Sequence, residues 1–334
     1  MKFIRFFCIV FFIFFLTGCD IGNSFVSEVN VLNWSSYIPD GVIRDFENEY
    51  HIKVNYGTYS SNEELLAKIT SSNIGTYDVI FPSDYMVELM IQRGLLEKID
   101  RTRIQNLRNI NNLFLNQKYD YYNDYSLPFL STIVVIAVNR EHIKDTISSY
   151  NDLLNDKYYN NIVMLDDQRI VIGMALMALG YDMSEVDDEA LDRAKEWLLL
   201  LKSNIRAYDS DSPKTLFITD EVDIGVMWNA EAELATVSNP SIEIVYPKEG
   251  HAISTDNYAI VNGAKNIDNA YLFIDYLLRN DVNSQIVREY PYISPNKIQQ
   301  NSVISSSNIF ENGYYVKNIG GYISKYDKLW ADIK

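Results

Sequence analysis

Apolar and polar residues alternate along the first hundred residues in a way that predicts a repeated strand–helix series. Runs with strand periodicity occur in EVNVLN, HIKVNYGTY and YDVIFP, and a segment with helical spacing follows each of them. In the first helical segment, Val42, Ile43, Phe46 and Tyr50 fall on one side. A βαβαβ series of this kind is typical of a mostly parallel sheet with helices on both faces.

A second series begins near residue 131 and repeats the same alternation. Its strand-like and helix-like runs include STIVVIAVNR, NIVMLDD, RIVIGMALMALG, LDRAKEWLLLLKS, VDIGVMW and SIEIVYP, and NYAIVNG with a following helical run completes the pattern. No linker rich in proline or glycine separates these parts, so we predict two lobes joined by crossing strands near residues 133–138 and 256–260. We assign residues 28–133 and 257–300 to lobe 1, and residues 134–256 and 301–334 to lobe 2.

The N-terminal segment reads as a targeting signal rather than as part of the fold. Lys2 and Arg5 precede an apolar run that is too short for a membrane-spanning helix, which needs about 20 residues. The sequence from Leu16 to Cys19, LTGC, resembles the lipobox of bacterial lipoproteins. This resemblance implies a signal peptide at residues 1–18, acylation of Cys19 and a tether at residues 19–27. An ordinary signal peptide with an incidental cysteine is the alternative. After removal of Cys8 with the signal, one cysteine remains and no disulfide can form within the chain.

Charge and histidine placement exclude several function classes. The chain has 29 basic and 45 acidic residues and a net charge of −16, which argues against a nucleic-acid partner and is compatible with a cationic ligand. His51, His142 and His251 are scattered without metal-ligand spacing. No glycine-rich phosphate loop or nucleophile elbow follows a strand. We therefore expect a binding protein without metal or cofactor, and not an enzyme.

Aromatic and acidic residues recur where the predicted strands end. Ligands bind beyond the carboxyl ends of strands in open α/β sheets, so these residues are candidates for one site. They include Asn33 to Tyr37 after the first strand, Ser83 to Tyr85 after the third, Asp166 and Asp167, and Trp228 to Glu231. Asp256 lies just ahead of the predicted strand NYAIV. Rings attract an organic cation through their faces and carboxylates pair with its charge, so the combination favours an amine ligand.

Several sequence motifs of this chain resemble those of a known family. The segments LNWSSYIPDG, YDVIFPSDYMV, MWNAEAELA, VYPKEG, DYLLRNDV and YISPN, in this order, resemble the polyamine-binding proteins of bacterial spermidine/putrescine ABC transporters. The resemblance implies a two-lobed α/β fold of the type II periplasmic-binding-protein class, in which crossing hinge strands join mostly parallel sheets flanked by helices. It also implies an ABC permease as partner, and we expect a monomer anchored to a bacterial membrane, facing the periplasm or the outer surface.

The resemblance assigns ligand contacts residue by residue. The ten implied contacts are Trp34, Ser35, Tyr37, Ser83, Tyr85, Asp167, Ser210, Trp228, Asp256 and Tyr292. Some of these residues have alternative roles. Asp167 could cap the following helix, Trp34 or Trp228 could be core residues, and Tyr292 could be a residue at the rim of the site. We assign Asp84 to helix capping and Glu231 to a solvated helix surface.

Four positions depart from the family pattern. Ile170 stands where an acidic residue is usual, Ser254 where an aromatic residue is usual, and Ser36 where some members are acidic. Near the C-terminus, Val316 stands where the family pattern leads one to expect a polar contact. Fewer carboxylates favour a ligand with fewer charges, so we predict a diamine such as putrescine or permissive polyamine binding. A surface lipoprotein of the same fold that acts as a sensor or interaction protein is the alternative.

Overall fold

The computed structural model describes residues 25–35, 37–298 and 310–334. The predicted signal peptide, Cys19 and Ser36 lie outside the described residues. In the part that is described, no helix is long and apolar enough to cross a membrane.

Strands and helices alternate along most of the chain, as the periodicity predicts. The strands are β1 (Ser27–Trp34), β2 (Ile52–Tyr59), β3 (Val79–Ile80), β4 (Ser126–Asn139), β5 (Ile162–Met164), β6 (Ile205–Tyr208), β7 (Ile224–Trp228), β8 (Ile242–Val245), β9 (His251–Ile260) and β10 (Gly313–Tyr315). The helices are α1 (Asp40–Tyr50), α2 (Asn62–Ser71), α3 (Asp84–Gln92), α4 (Gln168–Ala178), α5 (Asp188–Leu201), α6 (Lys214–Ile218), α7 (Asn229–Ser238), α8 (Ile267–Leu277), α9 (Asn280–Glu289) and α10 (Ile323–Ile333).

The strands pair in the order β2-β1-β3-β9-β4-β7-β5-β6, with β10 beside β9 and β8 beside β4. At one end β1 pairs in parallel with β2 and β3, and at the other β5 pairs in parallel with β6 and β7. We call β1–β3 with their helices the first unit, and β5–β8 with theirs the second unit. The antiparallel pairs all involve β4 or β9, because one strand carries the chain from the first unit to the second and the other carries it back.

The long strand β4 joins the two units. Its residues 126–133 pair with β9, whereas residues 134–138 pair with β7 and residues 136–139 with β8. Every residue of β4 is buried, which explains its continuous apolar run. The predicted α/β architecture of two units joined by crossing strands is confirmed. The residue boundaries assigned to lobes 1 and 2 stay a prediction.

Each unit has helices packed on its sheet through the faces that the sequence predicts. On α1, Val42 and Phe46 are buried and Ile43 and Tyr50 are half-buried. Most of α4 is buried because α5 and α10 pack against it, which accounts for the run RIVIGMALM. The C-terminal helix α10 is therefore part of the second unit's core.

Candidate functional site

A cavity of about 750 Å³ lies where the two units face each other. This volume is within the usual range for small-molecule sites. The cavity is lined by all ten residues predicted to contact a ligand: Trp34, Ser35, Tyr37, Ser83, Tyr85, Asp167, Ser210, Trp228, Asp256 and Tyr292. Most of them come together because the parallel strands of each unit direct their carboxyl ends toward this gap. Asp256 instead lies within the crossing strand β9, and Tyr292 follows α9. Their contact with a ligand stays a prediction.

Asp256 is the most buried acid of the cavity wall. It lies in β9, is 3% exposed, and accepts hydrogen bonds from Tyr37 Oη at 2.7 Å and Ser83 Oγ at 2.6 Å. Burial raises the pKa of its carboxyl to about 6, although the hydroxyl donors act in the opposite direction. Among the described residues, no lysine or arginine forms an ion pair with it. A buried carboxylate of this kind favours a cation supplied from outside the chain.

Aromatic rings surround the Asp256 end of the cavity. The ring centroids of Tyr37 and Tyr292 are 4.6 Å apart, and those of Trp34 and Tyr59 are also 4.6 Å apart. The indole Nε1 of Trp34 donates to the Phe81 carbonyl oxygen at 3.0 Å, which fixes the ring in place. Trp34 and Trp228 are half-buried and line the cavity rather than lying enclosed in a core. The site thus has ring faces beside a carboxylate, which suits an ammonium group attached to methylenes.

Asp167 both caps a helix and lines the cavity. It is the N-cap of α4, and its Oδ1 accepts the backbone N–H groups of Arg169 at 2.9 Å and Ile170 at 3.1 Å. Burial raises the pKa of its carboxyl, and the hydrogen bond from Ile170 opposes that shift. The neighbouring Asp166 is exposed and forms an ion pair with Lys334. The two adjacent acids therefore have separate partners.

The prediction that Glu231 lies on a solvated helix surface is wrong. Glu231 is 7% exposed, lines the cavity, and accepts from Lys214 Nζ at 2.9 Å and 2.8 Å with its two oxygens. The reason is that α7 begins directly after β7, so its first turn faces the gap between the units. Burial raises the pKa of its carboxyl and the Lys214 ammonium opposes the shift.

The prediction that Asp84 caps α3 is confirmed only in part. Asp84 is the first residue of α3 and is 1% exposed, and the N-cap position belongs to Ser83. Its carboxylate accepts the backbone N–H groups of Tyr85 at 2.7 Å and Thr255 at 3.2 Å. Asp84 therefore connects α3 to β9 behind the cavity wall and is not among the lining residues.

The pattern of rings and carboxylates in the sequence does not predict three basic side chains of the cavity wall. Arg169, Lys214 and Lys334 line the cavity, and each pairs with an acid of the same wall. The sequence places a basic residue close to a predicted acid only at Arg169, two positions after Asp167. Arg169 pairs with Glu63 and not with that neighbour, so all three ion pairs join distant segments and leave no local signal.

Three of the positions that differ from the family pattern also line the cavity. Ile170, Ser254 and Val316 all line it, so aliphatic and small polar groups stand where the resemblance leads one to expect acid, ring and polar contacts. No group of three or more His, Cys, Asp or Glu residues that could hold a metal ion occurs within residues 25–35, 37–298 and 310–334.

Comparisons with known proteins agree with the motif resemblance. Residues 41–309 match the family model described as bacterial extracellular solute-binding protein. The spermidine/putrescine-binding periplasmic protein of Salmonella typhimurium is 34% identical over 313 residues, which cover 90% of each chain. The spermidine/putrescine-binding periplasmic protein 1 of Haemophilus influenzae is 32% identical over 92% of this chain and 88% of its own.

Solved structures show the same fold. A putative spermidine/putrescine ABC transporter protein from Listeria monocytogenes is 28% identical with a TM-score of 0.86, over 92% of this chain and 98% of its own. The TpPotD lipoprotein of Treponema pallidum is 26% identical with a TM-score of 0.85, over 92% of this chain and 99% of its own. The predicted type II periplasmic-binding-protein fold and the family resemblance are confirmed. The chain belongs to the family of bacterial extracellular solute-binding proteins, whose members in this comparison bind solutes for ABC transporters and are not enzymes.

Proposed function

We propose that the protein captures a polyamine between its two units and delivers it to an ABC permease. The observation that carries this proposal is Asp256, a buried carboxylate at the cavity wall that pairs with no lysine or arginine of the described residues. An ammonium ion would supply the missing charge, and the rings of Trp34, Tyr37 and Tyr292 would pack its methylenes. The names of the relatives that are about one-third identical support the same ligand class.

Capture would proceed by closure of the two units around the amine. Trp34, Tyr37 and Ser83 belong to the first unit and Asp167 and Trp228 to the second. A ligand that contacts both sides at once stabilises the closed form and shifts the population toward it. We infer that β4 and β9 flex at the junction of the units while each unit stays rigid.

The transport role is tested by uptake of labelled putrescine in a strain from which the gene is deleted. We expect uptake to be lost and to return when the wild-type chain is supplied. Uptake that is unchanged by the deletion would contradict delivery to a permease and leave only a binding role.

We also propose an envelope location with a lipid anchor on Cys19 and a monomeric state. The motif LTGC supports the anchor, and the structural relative from Treponema pallidum is named a lipoprotein. An anchored binding protein stays close to its permease, which suits rapid delivery of captured ligand.

Putrescine is expected to bind at least as tightly as spermidine. The acids Glu63, Asp166 and Glu231 already pair with Arg169, Lys334 and Lys214, as the ion pairs of the wall show. The other lining acids differ in exposure: Asp211, Glu289 and Asp327 are exposed, whereas Asp256 is buried and Asp167 is half-buried. The two shielded acids remain for the ligand inside the cavity, which suits two ammonium groups, and a third ammonium would lose water without a shielded partner. Calorimetric titration of both amines checks this preference. Spermidine binding that is about tenfold tighter than putrescine binding, a difference of about 1.4 kcal/mol, would refute it.

Amine affinity is expected to fall as the pH is lowered from 7 to 5. The pKa of Asp256 is raised to about 6, and only its ionised form pairs with an ammonium, which stays charged throughout this range. Protonation lowers the competent fraction, so the apparent affinity for putrescine should fall about tenfold between pH 7 and pH 5. Asp167, whose pKa is also raised by burial, acts in the same direction. Titration calorimetry at both pH values measures this, and equal or tighter binding at pH 5 would contradict it.

A further inference from the structure

Arg169 crosses the gap between the two units. It lies in the first turn of α4, which follows β5 of the second unit. Its contacts are with Glu63 on α2 and Tyr85 on α3, which follow strands of the first unit. This contact therefore exists only while the two units are close together.

The three side chains form a compact cluster. The guanidinium carbon of Arg169 is 4.3 Å from the centre of the Tyr85 ring, and its Nη2 is 3.6 Å from Glu63 Oε1. Tyr85 Oη donates to the same Glu63 oxygen at 3.4 Å. Arg169 is 9% exposed, and its Nε and Nη1 are buried without a hydrogen-bond partner in the described part of the chain. Across the gap, the guanidinium is thus held by a ring face and one rather distant carboxylate, and within its own unit it is attracted by Asp167.

Two opposing effects make this contact reversible. The ring face and the Glu63 carboxylate attract the guanidinium and favour closure. Burial of a cation whose N–H groups are only partly satisfied disfavours closure, because those groups regain water when the units separate. The cluster therefore biases the protein toward the closed form without locking it there.

We propose that Arg169 is a positioning residue that clamps the second unit onto the first and thereby slows release of a captured amine. This inference rests on the proposed function for its ligand. It assigns Arg169 no contact with the amine itself. A contact that forms only on closure stabilises the closed complex, so its loss raises the dissociation rate and leaves the encounter step unchanged.

The test is stopped-flow kinetics of putrescine binding, followed by the fluorescence of the cavity tryptophans. Arg169→Gln should raise koff about tenfold, which corresponds to about 1.4 kcal/mol, with kon within about twofold of wild type. Arg169→Lys keeps the charge but loses the planar stack on Tyr85, so its koff should lie between those of wild type and Arg169→Gln. The matched control is Arg193→Gln, since Arg193 stacks at 5.5 Å on Tyr181 within the second unit and does not line the cavity.

A second readout needs no ligand. Small-angle scattering of ligand-free protein should give a larger radius of gyration for Arg169→Gln than for wild type. A koff within twofold of wild type, or an effect confined to kon, would overturn the clamp. If wild type binds neither putrescine nor spermidine, the proposed function fails, and the scattering comparison alone decides the clamp: equal radii overturn it.

Discussion

Asp256→Asn is expected to weaken putrescine binding by about tenfold or more, a loss of about 1.4 kcal/mol or more. The substitution removes the charge of the buried carboxylate but keeps its size, so the cavity wall should retain its shape. Asp256 accepts from Tyr37 with one carboxylate oxygen and from Ser83 with the other. Asparagine has a single acceptor oxygen, so it can replace only one of these two arrangements. The ligand ammonium then meets a neutral amide in a dry site. Titration calorimetry at pH 7 measures the loss.

The matched control for this variant is Asp166→Asn. Asp166 also lines the cavity, but it is exposed and already pairs with Lys334. Its replacement should change putrescine affinity by no more than about twofold, in keeping with the small contribution of exposed ion pairs. Equal losses in the two variants would mean that the general charge of the cleft, and not Asp256, attracts the amine. Unchanged affinity in Asp256→Asn would remove that residue from the site.

Trp34→Ala is expected to weaken putrescine binding by about tenfold to thirtyfold, or about 1.4 to 2 kcal/mol. Each buried methylene contributes about 0.8 kcal/mol, and a ring face beside an ammonium adds about 0.5 to 2 kcal/mol. The truncation also removes the packing of Trp34 against Tyr59, whose hydroxyl donates to the Phe81 carbonyl oxygen at 2.6 Å. The aromatic side of the cavity would therefore lose both the indole and its packing contact with Tyr59. Calorimetric titration again gives the magnitude.

Two further variants separate loss of contact from loss of structure. Trp34→Phe retains an aromatic face and should lose less affinity than Trp34→Ala. Tyr121→Ala removes a ring that is 62% exposed and does not line the cavity, so it should bind putrescine like wild type. Full affinity in Trp34→Ala would contradict the role of the indole as a ligand wall.

The position of the site could be predicted from the sequence because strand ends share an edge. Trp34, Ser83 and Asp167 are far apart in the chain, yet each lies at or just beyond the carboxyl end of a strand that points to the same gap. Periodicity predicts these strands and the helices after them, as at Val42 and Phe46. Local pattern therefore sufficed for the alternating elements and for the neighbourhood of the cavity.

Pairing between distant side chains could not be predicted in this way. The sequence predicts Glu231 on a solvated helix surface, whereas in the fold the first turn of α7 faces the cavity and Glu231 pairs with Lys214. The sequence predicts a helix-capping role for Asp84, but not that β9 brings the Thr255 N–H group to the same carboxylate. These outcomes depend on which segments meet in three dimensions. A single sequence carries no periodic signal for such meetings.

The most direct test of the account is a crystal structure of the protein with putrescine bound. We predict one ammonium nitrogen within hydrogen-bond distance of the Asp256 carboxylate, with the methylenes between the indoles of Trp34 and Trp228. Putrescine bound outside this cavity, or bound in it with both nitrogens away from Asp256, would contradict the account.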